Sequence, residues 1–394
     1  MNWPMGKVTD IAEIISGFAF KSEWFGAGDA KVIRIGDLKN GRIDLSEAMV
    51  FDEKVHKVRE QYRVKSGDIL MALSGATVGK IAVADLEAEG AYLNQRVAVI
   101  RGKCYENTEF LKYIFTGSRL QKLLLNAGGA AQPNLSPKDL AEMEIPLPPL
   151  TEQKRIATIL NKADNIRQKR EQAIKLADNF LRATFLEMFG DPAENPKRWD
   201  VASLLEYGSF KNGMNFTKGE SGSVLKCLGV GNFKSLATIT CMDNIGEIEL
   251  NTLPSDDYLL KDGDIVFVRS NGNKALVGRC LTIYPGKEKV TFSGFCIRYR
   301  IENTAITPEY LNFLFRTPSM KQQMLSGGQG ANIQNISQST LSALRIPVPP
   351  LDKQIAFAKL VDFHASIVKK QYDKMAESEK LFNALTGDFF TFNE

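Results

Sequence analysis

The longest regular pattern of apolar and polar positions lies at 147–192, LPPLTEQKRIATILNKADNIRQKREQAIKLADNFLRATFLEMFGDP. Its apolar residues recur at heptad spacing, with Ile156, Ala163 and Ala177 at one seam position and Ile159, Ile166, Ala173 and Phe180 at the other. Pro148 and Pro149 end anything helical before it, Thr151 offers an N-cap hydroxyl, and Gly190-Asp191-Pro192 is a stop signal. The pattern predicts one helix roughly 58 Å long, too long for the core of a single small domain. Arg170 interrupts the seam, a polar substitution of the kind that sets partner and register.

The device returns at 347–390, with a second Pro-Pro-Leu stop and Asp352 as its cap. Phe357, Leu360, Ile367 and Leu381 fall 201 positions after Ile156, Ile159, Ile166 and Phe180. Two long amphipathic helices in one chain have a partner in each other, and an intramolecular antiparallel coiled coil is expected.

The rest of the chain is also written twice. Trp3 aligns with Trp199 and GFAF (17–20) with GMNF (213–216), both at an offset of 196. VIRIGDL (32–38) matches CLGVGNF (227–233), GDIL (67–70) matches GDIV (263–266), and PNLS (133–136) matches QNIS (334–337). Short β-branched runs predict strands at 32–35, 68–73, 80–83 and 96–100, then at 265–269, 279–283 and 295–299. Helical spacing marks 109–125 and 310–325. The expected fold class is α/β: a first domain at 1–147, a central long helix at 148–191, a second domain at 192–347 and a distal long helix at 348–394.

Composition narrows the function. A hydrophobic share of 44% with 24% charged residues is that of a soluble globular chain, and neither a signal peptide nor an apolar run of membrane length is present, so a cytoplasmic location is expected. Five cysteines form no CxxC pair, and two histidines, His56 and His364, are too few for a structural zinc site or a His-based centre. No GxxxxGK[ST] loop and no Asn/Asp-Pro-Pro-Tyr/Phe adenine-methylation motif occurs, and acids such as Asp256, Asp257, Asp262 and Asp264 lie beside a turn glycine, as solvated turn residues do. Catalytic residues, cofactor and metal are therefore all expected to be absent. Residues 1–147 hold 19 Lys+Arg against 19 Asp+Glu, and 192–347 hold 17 against 14, so nucleic-acid binding would have to rest on local clusters.

Those clusters are loops. LSGATVGK (73–80) presents Ser74, Thr77 and Lys80; its counterpart RSNGNKALVG (269–278) presents Arg269, Ser270, Asn271, Asn273 and Lys274. Asn94, Gln95 and Arg96 form a second set, and Lys21, Ser22 and Lys218 stand near the two GxxF segments. Asn and Gln can read adenine edges, while Arg and Lys can read guanine or hold phosphate. A plain hairpin turn is the other reading of each loop. The glycine-rich stretches 128–134 and 327–332 are expected to organise the turn into a helix.

Taken together, IPLPPLTEQKRIATIL (145–160), IPVPPLDKQIAFAKLV (346–361), GFAFKS (17–22) and GDILMALSGATVGK (67–80) resemble the DNA-specificity subunit of type I restriction–modification enzymes over nearly the whole chain. The resemblance implies a non-catalytic subunit with two target-recognition domains, each reading half of a split sequence in double-stranded DNA, and a helix pair as spacer. It also implies two modification (methyltransferase) subunits as partners, joined by two motor-nuclease subunits for restriction. Lys154, Arg155, Arg167, Lys169, Arg170, Lys369 and Lys370 would line the outer helix faces. The alternative is a tandem-repeat interaction scaffold that does not bind DNA.

Overall fold

The chain was described from a computed structural model, which covers residues 3–116, 120, 124, 134–217, 221–233, 237–326 and 335–390. It divides into two compact units, Met1–Glu171 with Asp373–Glu394, and Gln172–Tyr372.

In the first unit a four-stranded antiparallel sheet runs in the order Ala12–Ser16, Val97–Gly102, Ile69–Ala72, Ile81–Val83. Both faces of this sheet are covered, which is why ILMA (69–72) is apolar without alternation. Ile69, Met71, Ala98 and Ile100 pack toward the helix Tyr105–Ile114, while Leu70, Ala72, Val97 and Val99 pack against Ile33, Leu38 and Leu93. Ile33 and Leu93 belong to a second sheet, Met49–Phe51, Phe25–Ile33, Tyr92–Leu93, whose last pairing is parallel.

The second unit repeats this plan. Its main sheet runs Gly208–Asn212, Cys296–Ile301, Asp264–Val268, Cys280–Ile283, with Thr238–Ile239 added at the edge, and its smaller sheet is Glu247–Leu250, Ser223–Leu228, Val290–Phe292. One further device is duplicated atom for atom. Gly67 and Gly263 turn at φ +89° and +84°, and the aspartate after each accepts from the backbone N–H three residues back, Lys65 (2.8 Å) and Lys261 (2.7 Å). Arg101 then grips Asp68 with Nε and Nη2 at 2.7 and 2.6 Å, and Arg300 grips Asp264 at 2.9 and 2.6 Å. Asp68 and Asp264 are buried carboxylates neutralised by a two-pronged guanidinium, hence structural rather than solvated turn residues, which corrects the expectation for Asp264.

The long helices are Leu150–Phe189 and Leu351–Phe390, 40 residues each. Gly190 ends the first in a left-handed turn, φ +81°, its N–H donating to Leu186 O. Neither start is capped as expected: each helix begins one residue earlier, so Thr151 and Asp352 lie inside the first turn. The work of the Leu-x-x-Gln segment falls to buried glutamines. Gln153 donates to Pro148 O (2.9 Å) and accepts from Asn107 Nδ2 (2.9 Å); Gln354 donates to Pro349 O (2.8 Å) and Ala305 O (3.1 Å) and accepts from Thr307 N (2.9 Å).

The helices pair antiparallel within each unit. In the first, Phe389 joins the core around Ile156 and Leu160, and Arg170 donates to Lys374 O and Ser378 Oγ. In the second, Phe185 and Phe189 pack on Phe357, and His364 Nε2 lies 3.1 Å from Asp178 across the helix pair. Most of the expected seam residues lie outside the interior. Ile156 and Phe357 are fully buried, but Ile166, Phe180, Leu360, Ile367 and Leu381 are exposed and Ile159 is half-buried. The seam passes instead through Leu160, Ile174 and Leu181, and through Val361, Val368 and Phe382. Ile159-Leu160, Ala173-Ile174 and Phe180-Leu181 are adjacent apolar pairs, and spacings of three and four from Ile156 both fit a heptad. Packing selects four, and the 201-residue offset carries the same slip into the distal helix.

Two other expectations shift. The helix at 310–325 is two, Pro308–Phe315 and Pro318–Ser326, because Pro318 lacks the N–H that would continue the first. The helix expected at 109–125 begins at Tyr105, and most of its second half lies outside the described residues.

Candidate nucleic-acid interface

Strand direction decides which loops meet. In the first unit the C-terminal ends of Ala12–Ser16, Ile69–Ala72, Phe25–Ile33 and Tyr92–Leu93 and the N-terminal ends of Val97–Gly102 and Ile81–Val83 share one edge of the two sheets. Residues 17–20, 34–37, 73–80 and 94–96 are therefore gathered there. Phe18 N donates to Leu93 O (2.8 Å), Gln95 N to Phe18 O (2.8 Å), Asn94 N to Ile33 O (3.0 Å) and Leu73 N to Arg96 O (2.9 Å). Asn134 is bridged to Ser74, which brings the end of the glycine-rich stretch to the same place.

The second unit builds the same end with the same bonds. Met214 N donates to Phe292 O (3.0 Å), Gly294 N to Met214 O (2.7 Å), Ser293 N to Leu228 O (3.0 Å) and Arg269 N to Phe295 O (2.8 Å), with Asn335 bridged to Ser270. The counterpart of Asn94-Gln95-Arg96 is thus Ser293-Gly294-Phe295, which residue chemistry alone did not single out. An offset of 199 between LNQRVAV (93–99) and FSGFCIR (292–298) was the available signal.

The candidate side chains fare differently. Lys80, Arg96 and Lys274 are exposed, Arg269 half-exposed, and none of the four forms an ion pair among the described residues, so their charges are open to an anionic ligand. Gln95 is exposed with its amide unengaged among the described residues. The asparagines are partly occupied: Asn94 Oδ1 accepts from Arg96 N (3.3 Å), Asn271 Oδ1 from Asn273 N (2.8 Å) and Asn273 Oδ1 from Ala275 N (3.0 Å). One acceptor site of each amide therefore stabilises its own turn, while the NH2 groups face no such demand. Ser74 and Ser270 are half-buried, and Thr77 Oγ1 is buried without a partner among the described residues. Lys21 and Ser22 stand apart at the turn Ser22–Trp24, exposed, beside the aromatic cluster of Phe18, Phe20 and Trp24; Lys21 lies 3.9 Å from Glu23. Lys218 and residues 128–133 and 327–332 lie outside the described residues.

No group of three or more His, Cys, Asp or Glu residues placed to hold a metal occurs among the described residues. In the packed interior, burial pushes the Cys227 thiol up to about 11 and those of Cys280 and Cys296 up to about 12, while at the surface the hydrogen bonds from Lys39 and Ser46 hold the Asp44 carboxyl well below the usual carboxylate range. The loop ends offer hydrogen bonds and positive charge, the means of recognition.

Comparison with known proteins decides which recognition. The type I restriction modification DNA specificity domain matches residues 1–176 and again 220–374. The chain belongs to that family. It is a type I DNA-specificity subunit, whose task is recognition and not bond chemistry. It is 25% identical to the type I restriction enzyme StySPI specificity subunit of Salmonella potsdam, over 94% of this chain and 84% of that one. The fold is that of the type I restriction–modification S subunit from M. genitalium, with a TM-score of 0.55 at 16% identity over 100% of this chain and 97% of that one. A chain from a structure of type I R-M complex assembly and conformational transition gives 0.54 at 17% identity over 98% and 96%. Among the described residues of this specificity subunit no helix is long and apolar enough to cross a membrane.

Proposed function

We propose that each globular domain of this specificity subunit reads one half of a bipartite target in duplex DNA, with residues 1–147 reading one half and 192–347 the other. The observation that carries this reading is the duplicated loop end: the backbone bonds are the same in both units, and the side chains they present are not. One scaffold presenting two sets of groups suits a target with two unlike halves. Arg96, Lys80, Arg269 and Lys274 hold phosphates or guanine edges, and Gln95 reads an adenine edge. The long helices act as the spacer.

Their outer faces take the modification subunits. In the second unit Leu176, Phe180, Phe363 and Ile367 are exposed on the helices, an apolar surface suited to a protein partner. Lys169, Lys369 and Lys370 are exposed on the same two helices. Arg167 and Arg170 are taken out of that set, the first pairing with Asp164 (2.8 Å) and the second turned into the seam. Two methyltransferase subunits joined for restriction by two motor-nuclease subunits, acting in the cytoplasm, complete the complex.

The test is to express the chain with its modification subunits and map methylated adenine by single-molecule sequencing of the host DNA. A two-part motif with a fixed gap is expected, and exchange of residues 192–347 with those of a relative should alter one half only. Absence of any motif that depends on the chain, together with no binding to duplex DNA, refutes the reading and favours the scaffold.

A further inference from the structure

Arg96 and Phe295 occupy the same place in the two units. Each donates its N–H to the side-chain oxygen two residues back, Asn94 Oδ1 or Ser293 Oγ, both at 3.3 Å. Each offers its carbonyl to the start of the 73 or 269 loop, at 2.9 and 2.8 Å, and each precedes a residue whose N–H returns to Asn94 O or Ser293 O. Every N–H from Ser293 to Cys296 is hydrogen-bonded, so the loop that carries Phe295 is held by its backbone. Its ring is nevertheless 60% exposed, at the same end as the open charge of Arg269, and Phe216 on the neighbouring loop is 39% exposed. Phe267 and Phe292, on neighbouring strands of this unit, are by contrast fully buried.

We propose that the place shared by Arg96 and Phe295 is a base-reading position, and that Phe295 recognises a thymine through its C5 methyl group in the half-site read by residues 192–347. The proposal rests on the bipartite DNA reading above. A phenyl ring has no donor or acceptor, so at a major-groove edge its one specific contact is the thymine methyl, the apolar mark that separates T·A from the other pairs. Arg96 at the twin position has the donor fork that fits guanine O6 and N7. The exchange of guanidinium for phenyl on an unchanged backbone gives the two domains different base preferences at one shared position.

The test uses the full chain with its modification subunits and duplexes carrying the mapped motif. Each thymine of the second half-site, on either strand, is replaced in turn by deoxyuridine, which removes only the methyl. One replacement should weaken binding about 4-fold, the worth of one buried methyl. In Phe295→Ala the thymine and deoxyuridine duplexes should bind equally. Arg96→Ala should leave that ratio unchanged and weaken only the other half, and Leu253→Ala, half-exposed beyond the opposite end of the strands, should change nothing. A deoxyuridine penalty that persists in Phe295→Ala overturns the proposal. So does equal weakening of both duplexes, which marks a ring wedged between base steps, or a second half-site without a T·A pair. Failure of the DNA reading itself would show earlier, as the absence of any motif.

Discussion

Gly17 and Gly213 hold the two loop ends together by having no side chain. A Cβ on Gly17 would stand 2.0 Å from Asn94 O, 2.4 Å from Asn94 C and 3.0 Å from Gln95 N; on Gly213 it would stand 2.0 Å from Ser293 O. Neither glycine has a left-handed φ, so alanine meets no dihedral penalty and the effect is wholly one of space. Relief to ordinary contact requires the 17–18 and 94–95 segments to part by roughly 1.4–2.0 Å, which stretches a bond of 2.8 Å beyond hydrogen-bonding range. Three bonds are at stake in Gly17→Ala: Gly17 N to Val97 O, Phe18 N to Leu93 O, and Gln95 N to Phe18 O. At about 1 kcal/mol net for each, the loop end should lose about 3 kcal/mol, or on the order of 100-fold in local opening. Hydrogen exchange at residues 93–97 should quicken by that factor, and the complex should lose sequence dependence in the first half of its motif only. Gly213→Ala should do the same at 292–296 and affect the second half. Gly246→Ala, whose Cβ meets nothing within 4 Å, should be silent. Unchanged exchange with an unchanged motif in Gly17→Ala would show that the close approach does not position the readers.

Arg101→Met leaves the buried Asp68 carboxylate without its fork and should destabilise the first unit by about 3–5 kcal/mol, with Arg300→Met doing so in the second; urea unfolding monitored by hydrogen exchange in each unit checks this. Gln354→Ala leaves Thr307 N without its acceptor and Ala305 O without its donor, and should cost about 2–4 kcal/mol, read as a lower urea midpoint of the second unit. Phe363→Asp should leave unfolding within about 0.5 kcal/mol, since the ring is 65% exposed, yet abolish co-purification of the modification subunit. Cys227, Cys280 and Cys296 have thiol pKa values raised from 9.0 to about 11, 12 and 12, so the neutral thiol is favoured in the fold. Their contribution is intact below pH 9 and is lost as pH rises through 11 to 12, because the unfolded chain releases these protons first. Thiol-reactive dye at pH 8 should accordingly label exposed Cys241 and spare these three until the chain unfolds.

Much of this protein is determined by its sequence alone because the signals are local or repeated. Pro-Pro before each helix and Gly190 after the first need no partner to act, and the 196-to-201 offsets reveal duplication without any structure. The Asn94-Gln95-Arg96 loop and the 73–80 and 269–278 loops could be picked out as polar segments between strands. What only tertiary structure decided are choices between locally equivalent options. Ile159 and Leu160 both satisfy a heptad, and the antiparallel partner and the domain cores bury Leu160. Gly67-Asp68 and Gly263-Asp264 look like turns open to water until an arginine on the adjacent strand, distant in sequence, closes on each carboxylate. Asn271 and Asn273 look like free readers until their oxygens are seen to close their own turn. Phe295 reads as one more strand residue in FSGFCIR, because hydrophobicity in sequence implies burial; only the tertiary structure aligns it with Arg96 and leaves it exposed at the loop end of the sheets. Spacing along the chain records how often a residue type recurs, whereas exposure and partnership are set by segments distant in sequence.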